Sequence, residues 1–150
     1  MRQWSRTACG AAETRGFARQ FAATLKPGTV LALTGDLGAG KTTFVQGLAD
    51  GLRVHDISQV LSPTYALVNE YPAEGPTLVH LDFYRLEGVP IATALGLEEQ
   101  IDRGDAVVAV EWAELLPELI PDDAIWIRLT AEAPDSRRIE TIGRPGRRAP

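Results

Sequence analysis

The sequence contains one cysteine, Cys9, among its 150 residues, and a lone thiol excludes both a disulfide framework and a cysteine-based metal site. It also lacks any apolar stretch near the roughly 18 residues that a membrane-spanning helix requires. Met1-Arg2-Gln3-Trp4 leads into polar residues, so no signal peptide is expected. These absences together predict a cytoplasmic protein with no membrane partner.

Positive charge is scarce in the middle of the chain. Residues 69–123 contain thirteen acidic residues and only two basic ones, Arg85 and Arg103. Such a surface repels nucleic-acid phosphates, so we expect no DNA partner and no nucleic-acid groove in this segment. Lysine is rarer still in the whole sequence, where only Lys26 and Lys41 occur, so the position of each is informative.

The apolar residues that are present predict buried strands and helical faces. Short apolar runs without alternation are typical of strands buried on both faces of a parallel sheet. Three such runs are Val30-Leu31-Ala32-Leu33, Leu78-Val79-His80-Leu81 and Ala106-Val107-Val108-Ala109-Val110. Helical spacing relates Phe17, Phe21 and Leu25, and then Phe44, Leu48 and Leu52. An alternating run at residues 125–129 predicts a more exposed strand.

Length and element order indicate the domain organisation. A chain of 150 residues fits one domain. Strands that alternate with helices predict a single α/β domain over residues 1–142, with a mostly parallel central sheet flanked by helices. Residues 143–150 are rich in Arg, Pro and Gly and are expected to form a flexible tail.

The first apolar run leads into a glycine-rich motif. Gly35-Asp36-Leu37-Gly38-Ala39-Gly40-Lys41-Thr42 matches the pattern G-x-x-x-x-G-K-S/T of a P-loop, with a predicted strand before it and a predicted helix after it. Glycines let backbone N–H groups turn inward around a phosphate, and the following helix directs its positive dipole end at the same anion. We expect Lys41 to reach the terminal phosphates and the Thr42 hydroxyl to take a Mg²⁺ position.

Two carboxylates end the other two buried runs. Ligands in open α/β sheets sit beyond the carboxyl ends of the strands, so Asp82 and Glu111 are expected to border the same site as the P-loop. Asp82 is interpreted as a Mg²⁺ ligand, directly or through water, with a cap on the following turn as the alternative. Glu111 either ligates Mg²⁺ or orients the attacking water, with a helix-start carboxylate as the alternative.

Three further features have a weaker signal. Ser62-Pro63-Thr64-Tyr65 lies between the P-loop helix and the second strand, where nucleotide switches occur, although a plain turn fits equally well. His80 lies within a predicted strand, which favours a satisfied core histidine over a ligand. Trp112, by itself, is more typical of a core than of a site.

The missing residues narrow the class of P-loop protein. The only asparagine is Asn69, which is followed by Glu70, so the Asn-Lys-x-Asp motif of signalling GTPases is absent. A small-metabolite kinase needs several cations over the transferred phosphoryl group, and the scarcity of Arg and Lys weakens that alternative without excluding it. The length rules out a large motor or transporter ATPase.

Four motifs in order resemble one family. They are Gly35-Asp36-Leu37-Gly38-Ala39-Gly40-Lys41-Thr42-Thr43, Ser62-Pro63-Thr64-Tyr65, His80-Leu81-Asp82-Phe83-Tyr84-Arg85 and Val110-Glu111-Trp112. Together they are similar to the TsaE (YjeE) family, the small bacterial ATPases of tRNA threonylcarbamoyladenosine synthesis. The P-loop alone is shared by many families, whereas the set of four motifs is specific, and the resemblance covers roughly residues 10–142. Tyr65 and Phe83 depart mildly from the family pattern.

The resemblance implies a function and roles for residues. It implies ATP and Mg²⁺ as cofactors, bound by residues 35–43, with Thr42, Asp82 and Glu111 at the metal and Lys41, Asp82 and Glu111 taking part in hydrolysis. Thr64 and Trp112 become candidates for a switch or a surface that faces a partner. The implied partners are TsaD and TsaB. TsaD transfers threonylcarbamoyl from its adenylate to the adenosine beside the tRNA anticodon, so this chain is expected to meet tRNA indirectly.

Alternatives to that function remain open from the residues themselves. An accessory ATPase subunit is the first hypothesis, and with few cations over the terminal phosphate it should hydrolyse ATP slowly by itself. A free-standing small-molecule P-loop kinase is the second. A nucleotide-binding regulator without hydrolysis is the third.

Overall fold

The architecture follows from one mixed sheet. In a computed structural model that describes residues 3–56, 60, 68–86 and 89–145, seven strands pair in the order β1-β7-β6-β2-β5-β4-β3. The strands are β1 (Ser5–Cys9), β2 (Val30–Thr34), β3 (Val68–Tyr71), β4 (Thr77–Asp82), β5 (Ala106–Glu111), β6 (Ile125–Ala133) and β7 (Ser136–Ile142). The described helices are α1 (Gly10–Ala22), α2 (Lys41–Gly51), α3 (Val89–Ala94) and α4 (Leu97–Ile101), with 3₁₀ turns at Ala113–Leu115 and Pro117–Leu119.

The middle of the sheet is parallel and its margins are antiparallel. Strand β2 pairs in parallel with β5 and β6, and β4 pairs in parallel with β5. The pairs β1–β7, β6–β7 and β3–β4 are antiparallel. The α/β fold and the parallel centre are therefore as predicted, while the strands at both margins are additions that their more polar, exposed sequences had not indicated.

Both faces of the central strands are buried, which explains the uninterrupted apolar runs. Leu31 and Leu33 belong to a cluster with Phe44 and Leu48 of α2. Val30 and Ala32 point to the opposite face, into a cluster that includes residues of α4. Successive side chains of a strand alternate between faces, so a strand covered on both sides needs apolar residues at every position.

Helices α1 and α2 pack closely on one face of the sheet. A methyl group at Gly47 would lie 2.4 Å from the Arg15 carbonyl oxygen and 2.6 Å from the Ala18 side chain. The spacing of Phe17, Phe21 and Leu25 predicted that Leu25 belongs to this helix, and this prediction is wrong. Helix α1 ends at Ala22, so Leu25 packs against the core from beyond the helix. The three carbonyls Gln20, Phe21 and Ala22 accept the N–H groups of the turn that follows.

The register brings the ends of three strands to one edge. Leu33 lies opposite Glu111, and Asp82 lies opposite Glu111 on its other side. The predicted meeting of these strand ends is confirmed. In the described parts of the chain, no helix combines the length and the apolar character needed to cross a bilayer.

Candidate functional site

The glycine-rich loop (residues 35–40) joins the end of β2 to the start of α2. Gly35, Gly38 and Gly40 have φ values of 147°, 80° and 102°, a region that residues with a side chain rarely adopt. A methyl group at Gly35 would lie 2.4 Å from the Leu129 carbonyl oxygen, so the loop lies directly against β6. Glycine is required here both by backbone conformation and by the approach of a neighbouring strand.

Lys41 is folded back over this loop. The residue is only 5% exposed. Its Nζ donates to the Gly35 carbonyl oxygen and, at 3.2 Å, to the Asp36 carbonyl oxygen. The Trp112 ring centroid lies 3.7 Å from Nζ. Burial lowers the pKa of Lys41 below its ordinary value, and the nearby Glu114 and Glu111 carboxylates oppose that shift. The ammonium is thus held at the centre of the loop in a desolvated position.

Thr42, Glu111 and Asp82 meet beside the loop. The Thr42 hydroxyl donates to Glu111 at 3.0 Å from Oε1 and 3.1 Å from Oε2. Asp82 and Glu111 are neighbours across the β4–β5 pair and are 4% and 3% exposed. Asp82 also accepts a hydrogen bond from the Tyr84 backbone N–H at 2.8 Å, so it caps the following turn while it lies next to Glu111.

These side chains line a shared cleft of about 530 Å³. Its walls come from the loop, the first turn of α2, the ends of β4 and β5, and the residues that follow them; they are residues 37–43, Asp82, Tyr84, Arg85, Glu111 and Trp112. A cleft of about 300–1,000 Å³ is the size range of small-molecule sites. Nearly all of the predicted site residues therefore come together. The exceptions are Gly35 and Asp36, which line a cleft of about 780 Å³ on the other side of the same loop. Thr64 lies outside the described residues.

Trp112 has an unusual backbone for a bulky residue. Its φ of 57° and ψ of 36° place it in the left-handed region, immediately after Glu111. Its ring packs against Tyr84, with 4.8 Å between centroids, and over Lys41. Such strain, of order 1–3 kcal/mol, is concentrated at functional sites. Trp112 thus belongs to the wall of the site as well as to the packing around it.

A family model described as threonylcarbamoyl adenosine biosynthesis protein TsaE matches residues 9–139. The chain belongs to the TsaE family. This match confirms the resemblance that the four motifs indicate.

TsaE relatives are similar over most of their length. The protein of Bacillus subtilis named "tRNA threonylcarbamoyladenosine biosynthesis protein TsaE" is 43% identical over 127 residues, which cover 85% of this chain and 77% of that protein. The protein of the same name from a Nostoc species is 44% identical over 120 residues, covering 78% and 72%. The crystal structure of YdiB from Bacillus subtilis has a TM-score of 0.75 with 35% identity, and the match covers 95% of this chain and 86% of that one.

The structure gives His80 a contact in this TsaE-family site that the sequence did not predict, and it adds one residue that the sequence did not indicate. His80 is fully buried and its Nε2 lies 2.5 Å from Oε2 of Glu111, while Nδ1 has no hydrogen-bond partner within the described part of the chain. It is a core histidine, as expected, but only one ring nitrogen is satisfied. The available signal was its place two residues before Asp82, which puts both side chains on one face of β4.

The added residue is Arg137 of β7. It donates to the Gly38 carbonyl oxygen at 3.3 Å, and to the carbonyl oxygens of three residues in its own hairpin, Ala133, Pro134 and Ser136. It thereby links the tip of the glycine-rich loop to the end of the β6–β7 hairpin. No local pattern in the Arg-rich end distinguishes Arg137 from its neighbour Arg138, so only the three-dimensional arrangement identifies it.

Proposed function

We propose that the protein is a subunit of tRNA threonylcarbamoyladenosine biosynthesis in the cytoplasm, where it binds ATP through a P-loop, hydrolyses it slowly and acts with TsaD and TsaB. The observation that carries the proposal is the Thr42–Glu111 hydrogen bond beside the glycine-rich loop. It joins a hydroxyl of the first helical turn to a strand-end carboxylate. P-loop proteins hold Mg²⁺ next to nucleotide phosphates with such residues.

The donor set fits magnesium bound together with a nucleotide. Thr42, Asp82 and Glu111 offer the hard oxygen atoms that Mg²⁺ prefers. Among the described residues, no group of three or more His, Cys, Asp or Glu side chains is placed to hold a metal. The protein ligands therefore suit an ion that takes its remaining ligands from phosphate oxygens and water. When bound, the ion neutralises negative charge on the reacting phosphate.

The chain's own residues have separable tasks in this proposal. The N–H groups of residues 38–43 and the start of α2 bind phosphate oxygens. Lys41 binds the terminal phosphates once its contacts with the Gly35 and Asp36 carbonyls are exchanged. Glu111 and Asp82 position the metal or the attacking water.

Slow hydrolysis follows from the shortage of cations at the reaction centre. Among the described residues that line the cleft of about 530 Å³, the cations are Lys41 and Arg85. Efficient phosphoryl transfer uses several positive groups around the transferred phosphoryl, and one added arginine is worth about 10³–10⁵ in rate. A protein with this lining is expected to depend on a partner for productive turnover.

The test is a reconstituted reaction with TsaD, TsaB, tRNA and threonylcarbamoyl adenylate that carries labelled threonine. Repeated modification of tRNA should require this chain, ATP and an intact Lys41, whereas this chain alone should leave tRNA unmodified. The variant Asp105→Asn, which removes a carboxylate at the opposite end of β5, serves as the matched control and should behave as the wild type. Equal multiple turnover without this chain contradicts the proposal. The small-molecule kinase alternative is tested by incubating the protein with ATP and a metabolite library. A phosphorylated metabolite in that incubation would establish the kinase.

A further inference from the structure

His80 lies two residues before Asp82 on β4 and contacts Glu111, the carboxylate of the neighbouring strand. Leu78 belongs to the apolar cluster on the α1–α2 side of the sheet, and Val79 and Leu81 belong to the opposite cluster. Alternation along β4 therefore puts His80 and Asp82 on the side from which α2 approaches. In the register, His80 lies opposite Ala109, and Asp82 lies opposite Glu111. The small Ala109 side chain leaves the imidazole room to reach along β5 towards Glu111.

The contact with Glu111 is short and fully enclosed. Nε2 of His80 and Oε2 of Glu111 are 2.5 Å apart, and the two side chains are 0% and 4% exposed. Because an ionised carboxylate only accepts hydrogen bonds, Nε2 is the donor of this bond when Glu111 is ionised. Among the described residues, Oε2 thus accepts hydrogen bonds from His80 and Thr42, whereas Oε1 accepts from Thr42. These unequal contacts fix the rotation of the carboxylate.

The other ring nitrogen shows that the position is not explained by core packing. Nδ1 of His80 is buried without a partner among the described residues. An unsatisfied buried polar atom costs about 1–3 kcal/mol. A leucine at this site would avoid that cost within the apolar cluster. It would, however, leave buried Glu111 with Thr42 as its one side-chain donor in the described part of the chain. The hydrogen bond between Nε2 and Glu111 therefore accounts for a histidine at position 80.

We infer that His80 is a positioning residue, which orients the Glu111 carboxylate so that Oε1 faces the metal or water of the nucleotide site. The inference rests on the proposed function, since it assigns the purpose of the orientation to a bound magnesium nucleotide. Partners that orient a metal-binding group are worth about 10–100-fold in metal affinity or activity when removed. His80 acts through Glu111 and makes no contact of its own with the phosphates.

The closing experiment compares His80→Leu with His80→Gln, whose amide keeps a donor close to the place of Nε2. ATP binding is measured by calorimetry in EDTA and then over a Mg²⁺ titration, after denaturant unfolding has established which variants are folded. His80→Leu should bind ATP in EDTA within about twofold of the wild type but need at least about tenfold more Mg²⁺. His80→Gln should recover most of that difference.

The outcomes separate this inference from the function on which it rests. An unchanged Mg²⁺ requirement in folded His80→Leu, an equal loss in EDTA and in Mg²⁺, or no recovery in folded His80→Gln each overturns the positioning role. If either variant is unfolded, a ¹⁵N-histidine spectrum of wild type and Glu111→Gln decides: the His80 Nε2 resonance must move, and an unmoved resonance overturns the role. Absence of any Mg²⁺-dependent ATP binding by the wild type instead defeats the proposed function, and the inference with it.

Discussion

Lys41 combines two demands that conflict at the scale of a single residue. Its ammonium is proposed to bind phosphate, yet the residue is buried and bonded to the carbonyls of Gly35 and Asp36. Burial disfavours the charged form, which is the first cause of its lowered pKa. Functional residues often reduce the stability of the folded protein, because a charged binding group is costly to bury.

We expect Lys41→Met to separate these demands. ATP affinity should fall about 10–100-fold, the range expected from loss of charged hydrogen bonds. The free energy of unfolding should equal or exceed that of the wild type, as measured with denaturant. Because the folded-state pKa lies below the ordinary value of 10.5, the wild type carries the full burial penalty below the folded-state pKa. The advantage of the variant should therefore shrink as the pH rises from there towards 10.5. A less stable variant at neutral pH contradicts this account.

The carboxylates Asp82 and Glu111 form a second prediction at this scale. Asp82→Asn and Glu111→Gln should each slow ATP hydrolysis by about 10²–10³, as the loss of one preorganised charged group does. ATP binding should change far less, because the phosphate cradle is made by the loop and Lys41. Phosphate release and calorimetry measure the two effects, with Asp105→Asn as the control. Wild-type hydrolysis rates in both site variants would remove these carboxylates from the mechanism.

At the scale of elements, the site depends on how closely backbones approach. The loop touches β6 at Gly35, and α2 touches α1 at Gly47 and Gly51, where added methyl groups would lie 2.4 Å from carbonyl oxygens. The start of α2 carries Lys41 and Thr42. The distance between two helices therefore helps to place the two side chains that we propose to bind the magnesium nucleotide.

The glycines of α1 and α2 offer a matched pair of substitutions. Gly47→Ala should destabilise the fold by about 1–3 kcal/mol, since its methyl group meets Arg15 and Ala18 of α1. Gly16→Ala should stabilise it by about 0.5–1 kcal/mol, because the added methyl group meets nothing within 4 Å and alanine favours the helix. Denaturant unfolding measures both, and destabilisation by Gly16→Ala would show that α1 is packed differently.

At the scale of the whole molecule, three of the four described arginines from residue 128 onward are paired with carboxylates. Arg128 pairs with Glu140, Arg138 with Glu132, and Arg144 with Asp122. Arg144 also donates to the Pro117 carbonyl oxygen, so residue 144 is attached to the domain, while residues 146–150 lie outside the described chain. This charge arrangement supports an indirect relation to tRNA through partner proteins.

We expect the nucleotide to control association with TsaD and TsaB. Leu37, Tyr84 and Leu115 are exposed around the two clefts beside the glycine-rich loop, with exposed fractions of 79%, 48% and 47%. A partner that meets this rim can sense the bound nucleotide. The affinity of the TsaD–TsaB complex should differ between the ATP and ADP states by about 1–3 kcal/mol, or 5–150-fold. Pull-down or calorimetric titration with each nucleotide measures it, and equal affinity contradicts the coupling.

The sequence by itself determined the parallel centre of the fold and most members of the candidate site. Apolar runs such as residues 30–33 and 106–110 predict buried parallel strands because strands covered on both faces need apolar residues throughout. Asp82 and Glu111 follow from the same logic, since parallel strands end at one edge. Helical spacing failed at Leu25, where the chain has already turned, because an apolar residue can reach the core from a turn as well as from a helix.

Only the tertiary structure decided which of these groups touch. His80 and Glu111 are 31 residues apart in the chain, and Thr42 and Glu111 are 69 apart. Their contacts depend on the register of β4 against β5 and on the placement of α2, which no local pattern encodes. The ring of Trp112 lies over Lys41 because of a left-handed backbone at residue 112, a conformation that the local sequence does not predict for tryptophan. The residue types in the sequence thus determine which chemical groups are available. Packing between residues that are far apart in the chain determines which of those groups contact each other.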